Sequence, residues 1–220
     1  MLVKALGYVG VESPDAKEWL AFGPEVLGGM EAVEASSGSV LLRIDDADHR
    51  LAVHHGERNR MLYAGWDVGS EDALEAAGGE LLHKRGGIGF EVGTEEDCAA
   101  AGVLGFFLTL SDPSGLRHEL FLRSEGGAGF LPARSCDVGG VRHRCAGGVG
   151  SCGAGDAGPC AGRPVFAGGV LGGFKKSDEI YTFMDLWFYH CNPRHHSIAL
   201  TPMPGVRGTA PRDGGGAKFF

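Results

Sequence analysis

Apolar and polar positions alternate along the first half of the chain in a way that predicts strands separated by helices. Period-two alternation indicates a half-buried strand, and a period near 3.6 residues indicates an amphipathic helix. The first round predicts a strand, a helix and two further strands, over residues 2–12, 13–26, 40–44 and 51–55. The second round predicts the same order over residues 64–68, 71–77, 105–110 and 118–122. Residues 1–123 are therefore expected to form two tandem βαβββ units, a repeat of roughly sixty residues.

Local signals mark the ends of the first predicted helix. Pro14 suits the first helical turn, and Gly28-Gly29 is typical of a helix end. The apolar face of this helix is expected to contain Trp19, Leu20 and Leu27. These residues would pack the helix against the first predicted sheet.

Glycine changes this ordinary picture in one region. The chain has 39 glycines in 220 residues, well above the usual share of roughly 7%. Thirteen of them, with four of the six cysteines, lie in residues 136–173. These cysteines show no C-x-x-C spacing, so a zinc module is not expected. Residues 124–173 are therefore expected to be an irregular Gly/Cys-rich segment.

Charge and hydropathy exclude several classes of partner. The chain has 20 basic and 28 acidic residues, a net charge of −8, and shows no basic stripe of a nucleic-acid-binding protein. The longest apolar run, residues 103–110, is too short to span a bilayer. The N-terminus lacks the features of a signal peptide. A soluble, cytoplasmic protein is expected, with no nucleic-acid or membrane partner.

A second informative stretch, residues 181–204, contains the segment Cys191-Asn192-Pro193-Arg194-His195-His196-Ser197. Further specific segments are Leu6-Gly7-Tyr8, Ala64-Gly65-Trp66, and residues 111–115 with Glu119. In these motifs the chain resembles the type I extradiol dioxygenases of the vicinal oxygen chelate superfamily. It is most similar to actinobacterial enzymes that open steroid-derived catechols and to 2,3-dihydroxybiphenyl dioxygenases. The resemblance covers residues 1–123 and 174–206.

The resemblance implies an α+β fold of tandem βαβββ modules. In that family four modules form two domains, and only the C-terminal domain holds iron. Residues 1–123 would then be a complete N-terminal domain of two modules, and residues 174–206 part of a module of the catalytic domain. Residues 207–220 would be an aberrant tail that follows no family pattern.

The resemblance also implies a chemistry and the residues that perform it. Fe(II) would be held by two His and one carboxylate, with open positions for a catechol and O₂. His196 would be the acid–base residue, with Phe188 lining the ring pocket and His195 beside it. His143, in Gly140-Val141-Arg142-His143, would be the first metal ligand, although Arg142 stands where Gly is expected. The second His and the Glu belong to a fourth module that this chain lacks, so weak Fe(II) binding is expected.

The N-terminal pair of modules offers no replacement for these ligands. Glu119 lies on the equivalent strand, but Tyr8 stands where a His would be needed. Exposed or turn positions are expected for four of the upstream histidines, His54, His55, His83 and His118. His190, like His195, is expected to pack near the site rather than to bind metal.

The composition of residues 136–173 and of the tail leads to a further hypothesis, a shift of reading frame in a GC-rich gene. A one-base shift permits Val-Ala-Leu-Ala-Val over residues 144–148, which is the hydrophobic strand expected after the first ligand. The same shift permits Leu-His-His-Val-Met-Val-Glu-Val over residues 209–216, a segment of the kind that carries the second His ligand. The alternative is a natural Gly-rich loop followed by a divergent tail.

Three functions remain open on the sequence. The first is an extradiol dioxygenase acting on catechols with Fe(II) and O₂, impaired by the incomplete ligand set. The second is a non-catalytic scaffold of the same fold that binds an aromatic ligand or a protein partner. The third is another metal enzyme of this fold, such as a glyoxalase or a resistance protein, which the segment 192–196 disfavours. An unfinished second domain would expose a sheet edge, so a homo-oligomer is also allowed.

Overall fold

The computed structural model describes residues 3–28, 30–45, 47–83, 90–94, 107–112, 115–122, 152–156, 173–181 and 185–202. The first module contains β1 (Ala5–Ser13), a helical segment, β2 (Glu31–Glu34), β3 (Val40–Arg43) and β4 (Leu51–His55). The second contains β5 (Arg60–Asp67), α2 (Glu71–His83), β6 (Phe90–Val92), β7 (Phe107–Ser111) and β8 (Arg117–Phe121). The remaining strands are β9 (Cys152–Asp156), β10 (Lys175–Tyr181), β11 (Asp185–His190) and β12 (Ile198–Pro202).

The first two modules build one eight-stranded sheet, in the order β2-β3-β4-β1-β5-β8-β7-β6. Within each module the first strand pairs in parallel with the last, β1 with β4 and β5 with β8. The modules meet at the centre of the sheet, where β1 and β5 are antiparallel. The predicted α+β fold of tandem βαβββ modules is therefore confirmed.

A second sheet of four strands has the order β10-β11-β12-β9, with β9 and β12 parallel. This is the strand order of the first module, β2-β3-β4-β1, so the second sheet follows the pattern of a third module. Strand β9 lies inside segment 124–173, where no regular element was predicted. Its sequence, CGAGD, carries almost no apolar pattern, but main-chain pairing with β12 does not depend on side chains.

The two sheets share one hydrophobic core. Trp66 on β5 is fully buried, and its ring meets Phe174 edge to face, with 5.0 Å between the ring centroids. Apolar side chains of the second sheet join the same cluster, among them Tyr189, Ile198 and Leu200. The second sheet is thus packed against the first through buried apolar contacts.

The helical segment differs from its prediction at its C-terminal end. It runs as a 3₁₀ turn (Ala16–Glu18), α1 (Trp19–Phe22) and a π-helical turn (Gly23–Leu27). Trp19 and Leu20 pack against the core as predicted, but Leu27 is 50% exposed, so its predicted place on the apolar face was wrong. The wider π turn rotates the last residues away from the face set by α1.

Three further differences from the prediction concern two short strands and the end of one helix. Strand β2 was not predicted, because a short edge strand with half-exposed residues has little alternation. Strand β6 was not predicted either, and it has only three residues. Helix α2 runs through Gly78 and Gly79 to His83, although the prediction ended it at residue 77.

Two tyrosines lie on glycines across the central strand pair. Tyr8 on β1 is opposite Gly65 on β5, and Tyr63 on β5 is opposite Gly10 on β1. A Cβ atom at Gly65 would lie 2.3 Å from the Tyr8 ring, and one at Gly10 would lie 2.1 Å from the Tyr63 ring. Glycine at both positions therefore lets the two aromatic rings lie flat against the sheet.

We expect Gly65→Ala to lower the free energy of unfolding by about 2 kcal/mol, because the new methyl group must displace a buried ring. Gly79→Ala is the matched control, since a Cβ atom at Gly79 in α2 would meet nothing within 4 Å. That change should stabilise the chain by about 0.5–1 kcal/mol through helix propensity. Urea unfolding of both variants measures the difference, and equal effects of the two substitutions would contradict this account.

Candidate functional site

A buried polar group lies on one face of the first sheet. It contains Tyr8 on β1 and Glu119 on β8, which both belong to the sequence motifs described above. The Tyr8 hydroxyl donates a hydrogen bond of 2.6 Å to Glu119 Oε2. The Arg117 guanidinium lies 2.6 Å from Glu119 Oε1 and forms an ion pair with it. Glu119 is only 2% exposed, so these two partners compensate a carboxylate that burial would otherwise penalise.

Tyr8 is the hydrogen-bond donor to Glu119 in this group. Burial, followed by the neighbouring Glu119 carboxylate, raises the pKa of Tyr8 well above its ordinary value. The side chain therefore stays a neutral phenol and satisfies Glu119. Among the described residues, no three His, Cys, Asp or Glu side chains come together in a way that could hold a metal ion.

A chain of hydrogen bonds adjoins this group. His54 Nδ1 lies 2.8 Å from the Ser39 hydroxyl, and His54 Nε2 lies 2.8 Å from the Tyr63 hydroxyl. Burial lowers the pKa of His54, and the Arg117 guanidinium lowers it further. His54 is half-buried and doubly bonded, so its predicted exposed or turn position was wrong. His55 is exposed as predicted, and the His83 side chain lies outside the described residues.

His118 was also wrongly predicted to be exposed or in a turn. It is fully buried on β8 and accepts a 2.9 Å hydrogen bond at Nδ1 from the Trp66 indole. Because an indole nitrogen can only donate, the ring proton of His118 lies on Nε2, 3.3 Å from Asp112 Oδ2. His118 therefore links the hydrophobic core to the turn that precedes β8.

The second group of predicted residues lies on the second sheet. Phe188 on β11 faces the loop 191–197, with 4.9 Å between its ring centroid and that of His196 and 5.7 Å to that of His195. The Nδ1 atoms of the two histidines lie 3.0 Å apart. Burial, and then the adjacent His195, lowers the pKa of His196. The structure thus brings His196, which the resemblance implies as the acid–base residue, next to Phe188 and His195, which were predicted to lie beside it in the substrate pocket.

Neighbouring polar residues orient this loop. His195 Nε2 lies 3.7 Å from Asp178 Oδ2 on β10. His190 Nδ1 donates a 2.7 Å hydrogen bond to the Asn192 carbonyl oxygen, and the Asn192 side chain donates to the Lys4 carbonyl oxygen at 3.2 Å. His190 packs beside the site, in keeping with its sequence-based interpretation. Asp178 was not predicted, because only the strand pairing brings β10 to this loop.

The predicted metal ligand His143 and the reading-frame segments 144–148 and 209–216 lie outside the described residues. Three further residues near this group were not predicted from the sequence: Tyr63, Ser39 and Arg117. The Tyr63–Gly10 pair could not have indicated the first of these, because it arises only from the register of β1 with β5. No helix in the described part of the chain is long and apolar enough to cross a membrane.

The fold is that of the vicinal oxygen chelate proteins, which include glyoxalases and extradiol dioxygenases. A Mn(II)-bound glyoxalase from Novosphingobium aromaticivorans has this fold, with a TM-score of 0.63 at 24% identity over 92% of this chain and 62% of its own. A halotolerant catechol dioxygenase gives a TM-score of 0.75 at 28% identity, over 91% of this chain and 65% of the other.

Sequence comparison narrows this class to one family. Residues 6–56 match the family model described as dihydroxybiphenyl dioxygenase BphC D1. A biphenyl-2,3-diol 1,2-dioxygenase of Metapseudomonas furukawaii is 32% identical over 93% of this chain and 67% of its own length. A 3-methylcatechol 2,3-dioxygenase of Pseudomonas putida is 32% identical over 94% of this chain and 71% of its own. The chain belongs to the extradiol dioxygenase family and spans about two thirds of the length of these relatives.

Proposed function

We propose that this chain is an extradiol ring-cleaving dioxygenase of biphenyl-diol or steroid-catechol type, using Fe(II) and O₂, whose activity is impaired. The observation that carries the proposal is the 32% identity, over 93% of the chain, to a biphenyl-2,3-diol 1,2-dioxygenase. A 29% identical relative in Rhodococcus jostii is named as iron-dependent. The substrate would be a catecholic small molecule.

A catechol could be bound and deprotonated by two residues, Phe188 on β11 and His196 in the loop that follows. The Phe188 ring offers an apolar surface on which an aromatic ring can pack. His196 stands 4.9 Å from it, between ring centroids, and its lowered pKa favours the neutral imidazole. A neutral imidazole can accept a proton from a catechol hydroxyl and return it later. His195, between His196 and Asp178, would position the base.

The described residues do not fit an iron site, because no three metal-binding side chains converge among them. His143 remains the proposed first ligand. One histidine without a second His and a carboxylate gives little affinity for Fe(II). We therefore propose that weak iron binding limits the activity.

The impairment is proposed to result from a shifted reading frame over residues 136–173 and the tail 207–220. Support comes from composition: thirteen glycines and four cysteines lie in residues 136–173. Sequencing of both DNA strands across codons 136–220 tests this. A displaced frame that restores the expected ligand segments would support the proposal, and one intact frame would overturn it.

We expect the full chain, reduced and loaded with Fe(II), to retain less than one iron per chain and to form yellow product from 2,3-dihydroxybiphenyl slowly.

His196→Gln should lower this residual rate by about 100-fold, since general acid–base catalysis contributes at least that much. Wild-type activity should also fall on acidification, because protonation of His196 removes the base. Product absorbance and iron content are the two measurements.

The matched control is His190→Gln, because the His190 side chain bonds a loop carbonyl oxygen rather than facing Phe188. This variant should keep most of the activity. Complete absence of turnover in the iron-loaded wild-type chain would exclude catalysis by this polypeptide. That result would favour the second candidate, a non-catalytic scaffold that binds an aromatic ligand or a protein partner.

A further inference from the structure

The first sheet carries a cavity that the proposed activity does not use. Its volume is about 310 Å³, at the lower end of the range of roughly 300–1,000 Å³ for small-molecule pockets. Its lining comes from both N-terminal modules and includes Ser39, His49, His54, Tyr63, Thr109 and Arg117. No described residue of the second sheet lines it. This cavity, which we call the N-terminal cup, is therefore separate from Phe188 and His196.

The cup offers hydroxyl groups beside aromatic rings. Tyr63 is bonded to His54 Nε2 at 2.8 Å, and a phenol oxygen can take part in up to three hydrogen bonds. Burial raises the pKa of Tyr63, so its hydroxyl remains both a donor and an acceptor. Thr109 adds a second hydroxyl to the lining, and Leu41, Ala52 and Val92 add apolar surface. This combination suits a flat ring that carries one or two hydroxyl groups.

Charge in the cup disfavours an ionic ligand. Arg117 is neutralised by Glu119 at 2.6 Å, so it is not an open site for a carboxylate. The Glu91 carboxylate, also in the lining, would repel an anion. The Arg117 guanidinium already occupies the face of the Tyr63 ring, 4.7 Å from the ring centre, so an ammonium group cannot take this cation–π position. A neutral ligand is affected neither by the repulsion of an anion nor by the occupied face of the Tyr63 ring.

Contacts outside the cup hold the Tyr63 ring, which lines it, in a fixed position. Tyr8 and Tyr63 lie over Gly65 and Gly10, and their rings meet at 81° with 6.0 Å between centroids. The Tyr8 hydroxyl is held by Glu119 and the Tyr63 hydroxyl by His54. Side chains held at both ends of the ring form a preorganised surface, which reduces the entropy cost of binding.

We propose that the N-terminal cup binds a neutral monocyclic phenol, with the Tyr63 and Thr109 hydroxyls bonding the phenol oxygen. The site requires neither iron nor the second sheet, so it does not depend on the proposed dioxygenase activity. A seven-atom ligand of this kind is expected to bind with a dissociation constant on the order of 1 mM.

The test is titration of the full chain with phenol, followed by amide NMR shifts. Shifts are expected at Ser39, Thr109 and Arg117. Tyr63→Phe keeps the ring and removes the hydroxyl, and should raise the dissociation constant about 3- to 10-fold, as one lost hydrogen bond does. Thr109→Val is a second variant of nearly unchanged shape and should act in the same direction.

Tyr181→Phe is the matched control, because Tyr181 is 64% exposed on β10 and does not line the cup. It should leave phenol binding unchanged, as should Phe188→Ala in the other site. Benzoate and benzylammonium should bind more weakly than phenol, and cyclohexanol should too. The proposal is overturned if shifts are confined to residues 185–198, if Tyr63→Phe behaves like Tyr181→Phe, or if an ionic probe binds more tightly.

Discussion

Lowering the pH from 7 to 4 should reduce the free energy of unfolding by about 3 kcal/mol through His49 alone. The His49 side chain is 5% exposed, and its ring centroid lies 5.2 Å from that of Tyr8. Burial lowers the pKa of His49 from 6.5 to about 4, with further contributions from Arg50 and His54. The folded chain therefore resists protonation at this position, whereas the unfolded chain does not.

The sign follows from the number of protons that each state binds. Between the folded pKa of about 4 and the unfolded value of 6.5, the unfolded state binds more protons. Stability therefore rises with pH across this window and shows no contribution from His49 above it. Below pH 4 both states are protonated, and the loss has reached its full size.

Urea unfolding between pH 4 and 7 checks this expectation in the wild type, His49→Gln and His55→Gln. The first variant should lose most of the histidine-dependent slope, because it has no buried imidazole to protonate. The second should keep it, since His55 is exposed. Carboxylates titrate equally in all three chains, so the difference between the slopes isolates His49. Parallel slopes for His49→Gln and the wild type would contradict the prediction.

Trp66→Ala should cost about 3–5 kcal/mol of stability, the range for deleting a buried aromatic side chain. Trp66 is 0% exposed, and its indole nitrogen donates a 2.9 Å hydrogen bond to His118. The substitution leaves a cavity between the two sheets, where the Phe174 ring now meets the indole edge to face. It also leaves buried His118 without that donor, which adds a desolvation penalty.

Two further variants serve as comparisons for Trp66→Ala. Trp66→Phe keeps part of the buried area and should lose less stability than Trp66→Ala. Phe22→Ala truncates an aromatic ring that is 40% exposed, so its effect should be the smallest of the three. Chemical denaturation followed by circular dichroism compares them. A loss below about 1 kcal/mol for Trp66→Ala would mean that the sheets do not share a core.

Elements with a clear local pattern were predictable from the sequence. Strand β4 (Leu51–His55) has the predicted limits, because alternation and a flanking turn define it locally. The resemblance singled out Tyr8 and Glu119 as positions equivalent to metal ligands, but the hydrogen bond between them was not predicted. Short edge strands such as β2 escaped prediction, since main-chain pairing with a neighbour stabilises them.

Residues whose environment depends on distant strands were not predictable. His118 follows a turn in the sequence, yet the parallel pairing of β5 with β8 buries it beside Trp66. His54 is placed beside Tyr63 by the order of three strands, β4, β1 and β5. No local pattern carries this information, because it arises only when the two modules join.

The central pairing of β1 with β5 has a consequence for how such a sheet can assemble. A single module alone would end at an open β1 edge, which is a template for another strand. Two separate modules could meet through that edge and form the same eight-stranded arrangement as a two-fold symmetric homodimer. Joining them in one chain turns this association into an intramolecular event that no longer depends on protein concentration.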